Sequence, residues 1–166
     1  MKIGLLSDTH GYLDPEIFQY FEKMDEVWHA GDIGDLSLYQ KLKAFKPLLA
    51  VFGNIDSLEI RQHLPENQVF DREGLKVWMT HIGGYPPKYS SVIQKKLDEI
   101  KPGLFICGHS HILKVMPDNA RKPLLHINPG AAGQQGLHKF RTIVRFRIRN
   151  ARVEDLEVVK LGERGK

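Results

Sequence analysis

Five apolar runs in this chain each stop on a short cluster of small and polar residues. Lys2-Ile3-Gly4-Leu5-Leu6 opens into Ser7-Asp8-Thr9-His10-Gly11, and Glu26-Val27-Trp28-His29 runs into Ala30-Gly31-Asp32. Residues 48–52 empty into Gly53-Asn54-Ile55-Asp56, residues 75–79 end on Thr80-His81, and Leu104-Phe105-Ile106-Cys107 ends on Gly108-His109-Ser110-His111. Short apolar runs bounded by turn-forming residues read as buried strands. Between the first three, Ile17, Phe18, Phe21 and Met24 recur at helical spacing behind Pro15, with Asp14 placed to cap them. Leu36, Leu38, Tyr39, Leu42 and Phe45 mark a second helix that stops near Lys46-Pro47.

The second half has a different texture. Gln68-Val69-Phe70, a turn at Asp71-Arg72-Glu73-Gly74 and the run 75–79 predict a hairpin. Tyr85-Pro86-Pro87 predicts a rigid surface loop. Val92, Ile93, Leu97 and Ile100 predict a helix closed by Lys101-Pro102-Gly103. Short strands are expected near 113–116, 124–127, 142–148 and 153–158, a glycine-rich loop over Asn128-Pro129-Gly130-Ala131-Ala132-Gly133, and a frayed tail over 162–166. The opening strand-helix-strand-helix-strand order is that of a parallel sheet with covering helices, which bind ligands beyond the carboxyl ends of their strands. The expectation is one domain over residues 1–166, built as a two-sheet α/β sandwich.

Composition narrows this little. The chain has 166 residues, enough for a hydrophobic core without disulfides or structural zinc. No apolar run is long enough to span a membrane, and Ser7-Asp8 interrupts the first run too soon for a signal peptide. The single Cys107 excludes an internal disulfide. The expectation is a soluble cytoplasmic protein, and an exposed strand edge is compatible with a homo-oligomer. A net charge of +4 raises nucleic acid as a partner, and the basic residues gather late in the chain. On a strand, Arg145, Arg147 and Arg149 share one face, opposite Val144, Phe146 and Ile148. That stripe reads first as the solvated face of an edge strand, with attraction to an anionic partner second.

The strand ends carry the chemistry. In order they present Asp8, His10, Asp32, Asn54, His81, His109 and His111. Singly, each has a duller reading: Asp8 and Asp32 as helix caps, Asn54 as a turn residue, His81 as a surface histidine. If the chain leaves Cys107 extended, His109 and His111 point the same way. Seven oxygen and nitrogen donors exceed what one ion takes but suit two ions sharing a carboxylate. Such a pair, about 3.5–4 Å apart, clamps the attacking and leaving oxygens of an in-line displacement at phosphorus. His29 reads as packed in the wall behind a ligand, while His63, His126 and His138 lack motif context and read as structural or exposed.

Asp8-Thr9-His10, Gly31-Asp32, Gly53-Asn54, His81 and Gly108-His109-Ser110-His111 resemble the motif set of the calcineurin-like metallophosphoesterases. The likeness is to the small single-domain branch of bacterial and archaeal phosphodiesterases that also contains Vps29, and Ile127-Asn128-Pro129-Gly130 resembles that branch's later Asn-Pro-Gly segment. The resemblance implies a four-layer α/β/β/α sandwich of two mixed β-sheets flanked by helices. It implies two divalent metal ions, manganese first, with iron, zinc, cobalt or nickel as alternatives. Asp8, His10 and His111 would hold one ion, Asp32 would bridge, and Asn54, His81 and His109 would complete the second site. Asn54 would also reach a phosphate oxygen of a small phosphoester substrate. The implied reaction is phosphoester hydrolysis by a metal-bound hydroxide, with phosphodiesters preferred to phosphomonoesters.

One position departs from the larger relatives, where a histidine after Gly-Asn helps protonate the leaving group. Here that position is Ile55. The proton must come from Asp56, a metal-bound water or bulk solvent, or the leaving group must already be good, as in aryl phosphodiesters. Asp35, which orients the missing histidine in larger relatives, is expected to cap the helix at Leu36. The competing readings are a Vps29-like protein-interaction scaffold with little catalysis, and a nuclease.

Overall fold

Strands buried on both faces still alternate, and the alternation sorts their side chains into two separate apolar layers. The computed structural model describes residues 1–165, so Lys166, at the end of the expected tail, lies outside the described residues. Its elements are β1 (Lys2–Leu6), α1 (Glu16–Phe21), β2 (Glu26–His29), α2 (Leu36–Phe45), β3 (Leu48–Ala50), α3 (Leu58–Arg61), β4 (Asn67–Arg72) and β5 (Leu75–Thr80). They continue with α4 (Ser91–Ile100), β6 (Leu104–Ile106), β7 (Lys114–Pro117), β8 (Leu125–Asn128), β9 (Phe140–Arg149) and β10 (Arg152–Glu163). One five-stranded sheet has the order β10-β9-β1-β2-β3 and the other β4-β5-β6-β8-β7. Both are mixed: β1, β2 and β3 are parallel, as are β5, β6 and β8, while hairpin partners run antiparallel at the edges.

Ile3 and Leu5 of β1, Trp28 of β2, Val77 and Met79 of β5, and Leu104 and Ile106 of β6 meet in the layer between the sheets. The intervening residues turn outward. Leu6 and Val27 pack with Ile17 and Phe21 of α1 and Leu38 and Leu42 of α2. Trp78 and Phe105 pack with Leu97 of α4, their rings stacked at 4.5 Å. This is the expected α/β sandwich with helices outside both sheets. No helix among the described residues is long and apolar enough to cross a membrane.

The helix starts follow the side chains expected of them. Asp35 caps α2, accepting the Ser37 N–H at 2.6 Å. Asp14 lies one residue before the α1 cap, where its Oδ1 accepts the Glu16 N–H at 3.0 Å and its Oδ2 takes the buried Arg141 guanidinium at 2.5 Å. Two features differ from expectation. The short α3 has only a four-residue pattern, too brief for periodicity to reveal. The strand β10 continues to Glu163, so Gly162 and Glu163, expected in a frayed tail, are paired with β9.

The arginine stripe is also corrected. The strand carrying it, β9, is not an edge, because β10 covers its outer side. From β10, Glu157 pairs with Arg145, Asp155 with Arg147 at 3.4 Å, and Glu154 with Arg149 at 3.0 Å. The arginines do share a face opposite Val144, Phe146 and Ile148, but a facing row of carboxylates neutralises them.

Candidate metal centre

The parallel register of β1 and β2 brings their carboxyl ends level, and the second sheet presents the ends of β5 and β6 opposite them. Four loops therefore meet, and they sort the expected ligands into two groups. Asp8, His10 and His111 form one and Asp32, His81 and His109 the other, with ligand atoms inside each group within 4.8 Å of one another. His10 Nε2 lies 3.2 Å from His111 Nε2, and His111 Nε2 lies 3.3 Å from Asp8 Oδ1. In the second group His81 Nε2 lies 3.2 Å from Asp32 Oδ2 and 3.1 Å from Asn54 Oδ1. The groups adjoin, since Asp32 Oδ2 is 3.7 Å from His10 Nε2 and Asp8 Oδ1 is 3.9 Å from His81 Nε2. All seven expected residues converge.

The extended exit expected after β6 is not what delivers its histidines. His109 and His111 have φ values of 67° and 58°, and each serves a different group. Asp8, His10 and Asp32 are also left-handed, at 54°, 48° and 55°. Non-glycine residues rarely take this conformation, and each costs about 1–3 kcal/mol. Of the ten among the described residues, the other five lie at hairpin turns, a helix end and an irregularity in β10, where chain reversal accounts for them. The five in the site have no such excuse; the backbone there is bent to aim side chains.

Close packing of the ligand loops sets the glycines beside them. A Cβ on Gly31 would fall 2.6 Å from His81 Nδ1, and one on Gly53 would strike the side chain and backbone of Asp32. Both glycines let one ligand loop rest directly on another. His81 Nδ1 sits 2.7 Å from the Ala30 carbonyl, which can only accept, so Nδ1 carries the hydrogen. That fixes Nε2 as the atom facing Asp32 and Asn54.

Asp8 and Asp32 are both buried, and among the described residues their ionic partners are histidines alone, with no lysine or arginine in reach. Burial would raise the Asp32 carboxyl, but the His81 hydrogen bond and charge hold it below its usual value. Burial likewise pulls His81 down, yet the Asp32 hydrogen bond and the Asp8 and Asp32 charges lift it above normal. The Asp8 hydrogen bond raises His111 against its burial, while burial lowers His10 despite both carboxylates. Two buried carboxylates facing Nε2 atoms need positive charge between them. Borderline nitrogen and hard oxygen donors, with Cys107 buried and aimed elsewhere, fit divalent cations.

Behind the ligands stands a supporting set. His29, expected in the wall, accepts the Gly31 N–H on Nδ1 at 3.1 Å and meets Thr9 Oγ1 on Nε2 at 3.0 Å, tying the two aspartate loops together. Asn128 donates to the Gly108 carbonyl at 2.8 Å and to Ser110 Oγ at 3.1 Å, holding the His109–His111 turn. Asp56, one of the expected proton sources beside a metal-bound water and bulk solvent, is buried with Oδ1 on the Gly34 N–H at 2.7 Å and Oδ2 on the Gly53 N–H at 2.8 Å. Both oxygens are spent on backbone, a clamp's geometry rather than a donor's. His138, expected to be structural or exposed, stands with its ring edge-on to His111, centroids 5.3 Å apart. No local pattern marks it; a long loop brings it there.

Comparison with known proteins agrees with this geometry. The calcineurin-like phosphoesterase superfamily domain matches residues 1–151. A probable metallophosphoesterase of Methanocaldococcus jannaschii is 31% identical over 137 residues, spanning 79% of this chain and 68% of the relative. A phosphodiesterase of the same organism is 30% identical over 152 residues, spanning 78% of this chain and 83% of the relative. A solved archaeal phosphodiesterase superposes with a TM-score of 0.76 at 22% identity, covering 97% of this chain and 100% of the other. Zinc-bound Vps29 from Entamoeba histolytica superposes with a TM-score of 0.73 at 16% identity, covering 98% and 99%.

Proposed function

Since the chain belongs to the calcineurin-like phosphoesterase superfamily, a family of phosphoester hydrolases, we propose that it is a phosphodiesterase working with two divalent cations, manganese first. The observation that carries this reading is the pair of buried carboxylates, Asp8 and Asp32, faced by histidine Nε2 atoms and by no lysine or arginine. Asp8, His10 and His111 would hold one cation and Asn54, His81 and His109 the other, with Asp32 between. Such a pair supplies an acidified water near neutral pH and charge for the phosphoryl oxygens.

The chain's own residues do the rest. Ala30 and His29 keep His81 and the aspartate loops aimed, so little reorganisation is needed when substrate arrives. Asn54 stands at the edge of its group, where its side-chain amide can donate to a phosphoryl oxygen. Ile55 cannot donate a proton, and Asp56 is held by two backbone N–H groups, so the leaving group must depart with little help. That favours activated and aryl phosphodiesters. The scaffold reading is weaker because scaffolds of this fold are expected to lose part of the donor set, and here all seven donors converge.

The test is a metal-supplemented screen of phosphodiester and phosphomonoester substrates after chelation, with Asp32→Ala and His109→Ala as controls. Manganese-dependent cleavage of bis-p-nitrophenyl phosphate, lost in both variants, is the expected result. A full donor set that never turns over any phosphoester would return the protein to the scaffold reading.

A further inference from the structure

Large apolar side chains that face solvent are not scattered evenly over this molecule. Among the described residues, Ile55 follows Asn54, Ile82 follows His81, Ile112 follows His111 and Leu137 precedes His138, and all four are exposed. Leu137 is fully exposed. Single exposed leucines need no explanation, but four around one polar centre form a collar.

Two cavities open within that collar. One, of about 240 Å³, is lined by Phe52, Asn54, Arg61, Glu66, His81 and Ile82. The other, of about 350 Å³, is lined by His109, Ser110, His111, Ile112, Leu137 and His138. Each has expected metal ligands in its own wall, so whatever fills it lies against the reacting centre. Their chemistry differs. The first carries an arginine and a glutamate. In it Arg61 is spent on the carbonyls of Asp56, Gly53 and Asn54. Among the described residues, the second is lined by no aspartate, glutamate, lysine or arginine. The backbone beside Leu137 lies close against the centre: Gly136 packs so tightly on His111 Nδ1 that a Cβ there would collide with it.

We propose that the cavity between Ile112 and Leu137 receives one uncharged, apolar arm of the substrate, and that these two residues set its specificity. This rests on the phosphodiesterase reading and deepens it. A phosphodiester has two organic arms on a monoanionic phosphoryl group, and this centre has two cavities. Ile112 and Leu137 offer an aromatic or aliphatic arm apolar contact surface, and the described lining holds no lysine or arginine to single out an ionised one.

Diphenylphosphinate and dimethylphosphinate test this without turnover, since both present the same monoanionic PO₂ group with different arms. Calorimetric titration of the manganese-loaded protein is expected to show diphenylphosphinate binding at least about tenfold tighter, the scale at which apolar pockets discriminate. Leu137→Ser and Ile112→Ser, both at exposed positions, are each expected to cut that ratio several-fold. Val158→Ser, exposed on β10, is the control and should leave it alone. Equal affinities, no binding of either ligand, or a ratio unmoved by the two variants would overturn the proposal. So would a dimer in sedimentation that Leu137→Ser dissolves without changing the ratio, which would make the collar a contact between copies. Failure of the hydrolysis screen with this ratio intact would sink the phosphodiesterase reading instead, leaving the arm site standing.

Discussion

His10 and His111, 101 positions apart in the chain, hold their Nε2 atoms 3.2 Å from each other. Two imidazole nitrogens so placed either share a proton or point at a common cation. Asp8 Oδ1, 3.3 Å from His111 Nε2, adds the third donor that a common cation would need. Substituting either histidine by alanine is therefore expected to weaken manganese binding by about 100-fold or more, since even supporting residues of metal sites cost about 10–100-fold. Calorimetric titration of the chelator-treated protein measures it. Unchanged affinity in both variants would refute the first group as a site.

Asp56 should behave as a clamp. Asp56→Ala removes the acceptor of the buried Gly53 N–H and that of the Gly34 N–H, and Asp56→Asn keeps only one carbonyl oxygen for the two, at a cost of about 1–3 kcal/mol each. Both should lower the urea midpoint at unchanged m-value. Neither should alter how cleavage rate depends on the leaving group. A steeper dependence in Asp56→Asn, with stability intact, would show that this carboxyl was donating the proton after all.

Leaving-group dependence itself follows from Ile55. Across aryl phosphodiesters of rising leaving-group pKa, kcat/KM is expected to fall steeply in the unmodified protein. Ile55 is exposed, so Ile55→His should fold. Supplying a proton donor there should flatten the plot and raise the slowest ester by about 10-fold or more. A flat plot in the unmodified protein would show that a donor already exists.

Acid should destabilise the fold through His126. This ring is fully buried against Phe105 and Tyr89, its Nε2 has no hydrogen-bond partner among the described residues, and burial drops its pKa to about 4. Unfolded, it titrates near 6.5, so between these values the unfolded chain binds the extra proton. Stability from the neutral ring is fully present above about pH 6.5 and is lost as pH falls toward 4, about 3 kcal/mol in all. His126→Leu should remove that component, so the urea midpoint of the unmodified protein should fall relative to that of the variant as pH drops from 7.5 to 4.5. Parallel profiles would contradict it.

The arginine stripe on β9 should not bind nucleic acid strongly. Each of Arg145, Arg147 and Arg149 already faces a carboxylate from β10. Oligonucleotide affinity is expected to be weak, with a slope of log K against log salt smaller in magnitude than about 2. A steep slope would revive the nuclease reading.

Much of this was legible without coordinates. Asp35 capping α2, the β4–β5 hairpin and the three parallel strands of the first sheet are local or short-range matters, and side-chain pattern reports those directly. The seven donors could be named because each ends a strand, and a parallel sheet gathers its strand ends on one side. Misreadings came where a distant partner decided the outcome. The arginines look like an edge until β10 is laid over them. The place of His138 beside His111 is likewise set by the loop that carries it, not by local pattern.

What the amino-acid order determined alone was the inventory: which residues can ligate, which runs become strands, and where each helix begins. The division of donors into two groups belonged to tertiary structure. Five left-handed backbone positions, each unfavourable by itself, persist only because the packed loops around them leave no cheaper arrangement. Backbone strain of that kind has no local signal, since it is maintained by contacts between segments a hundred residues apart.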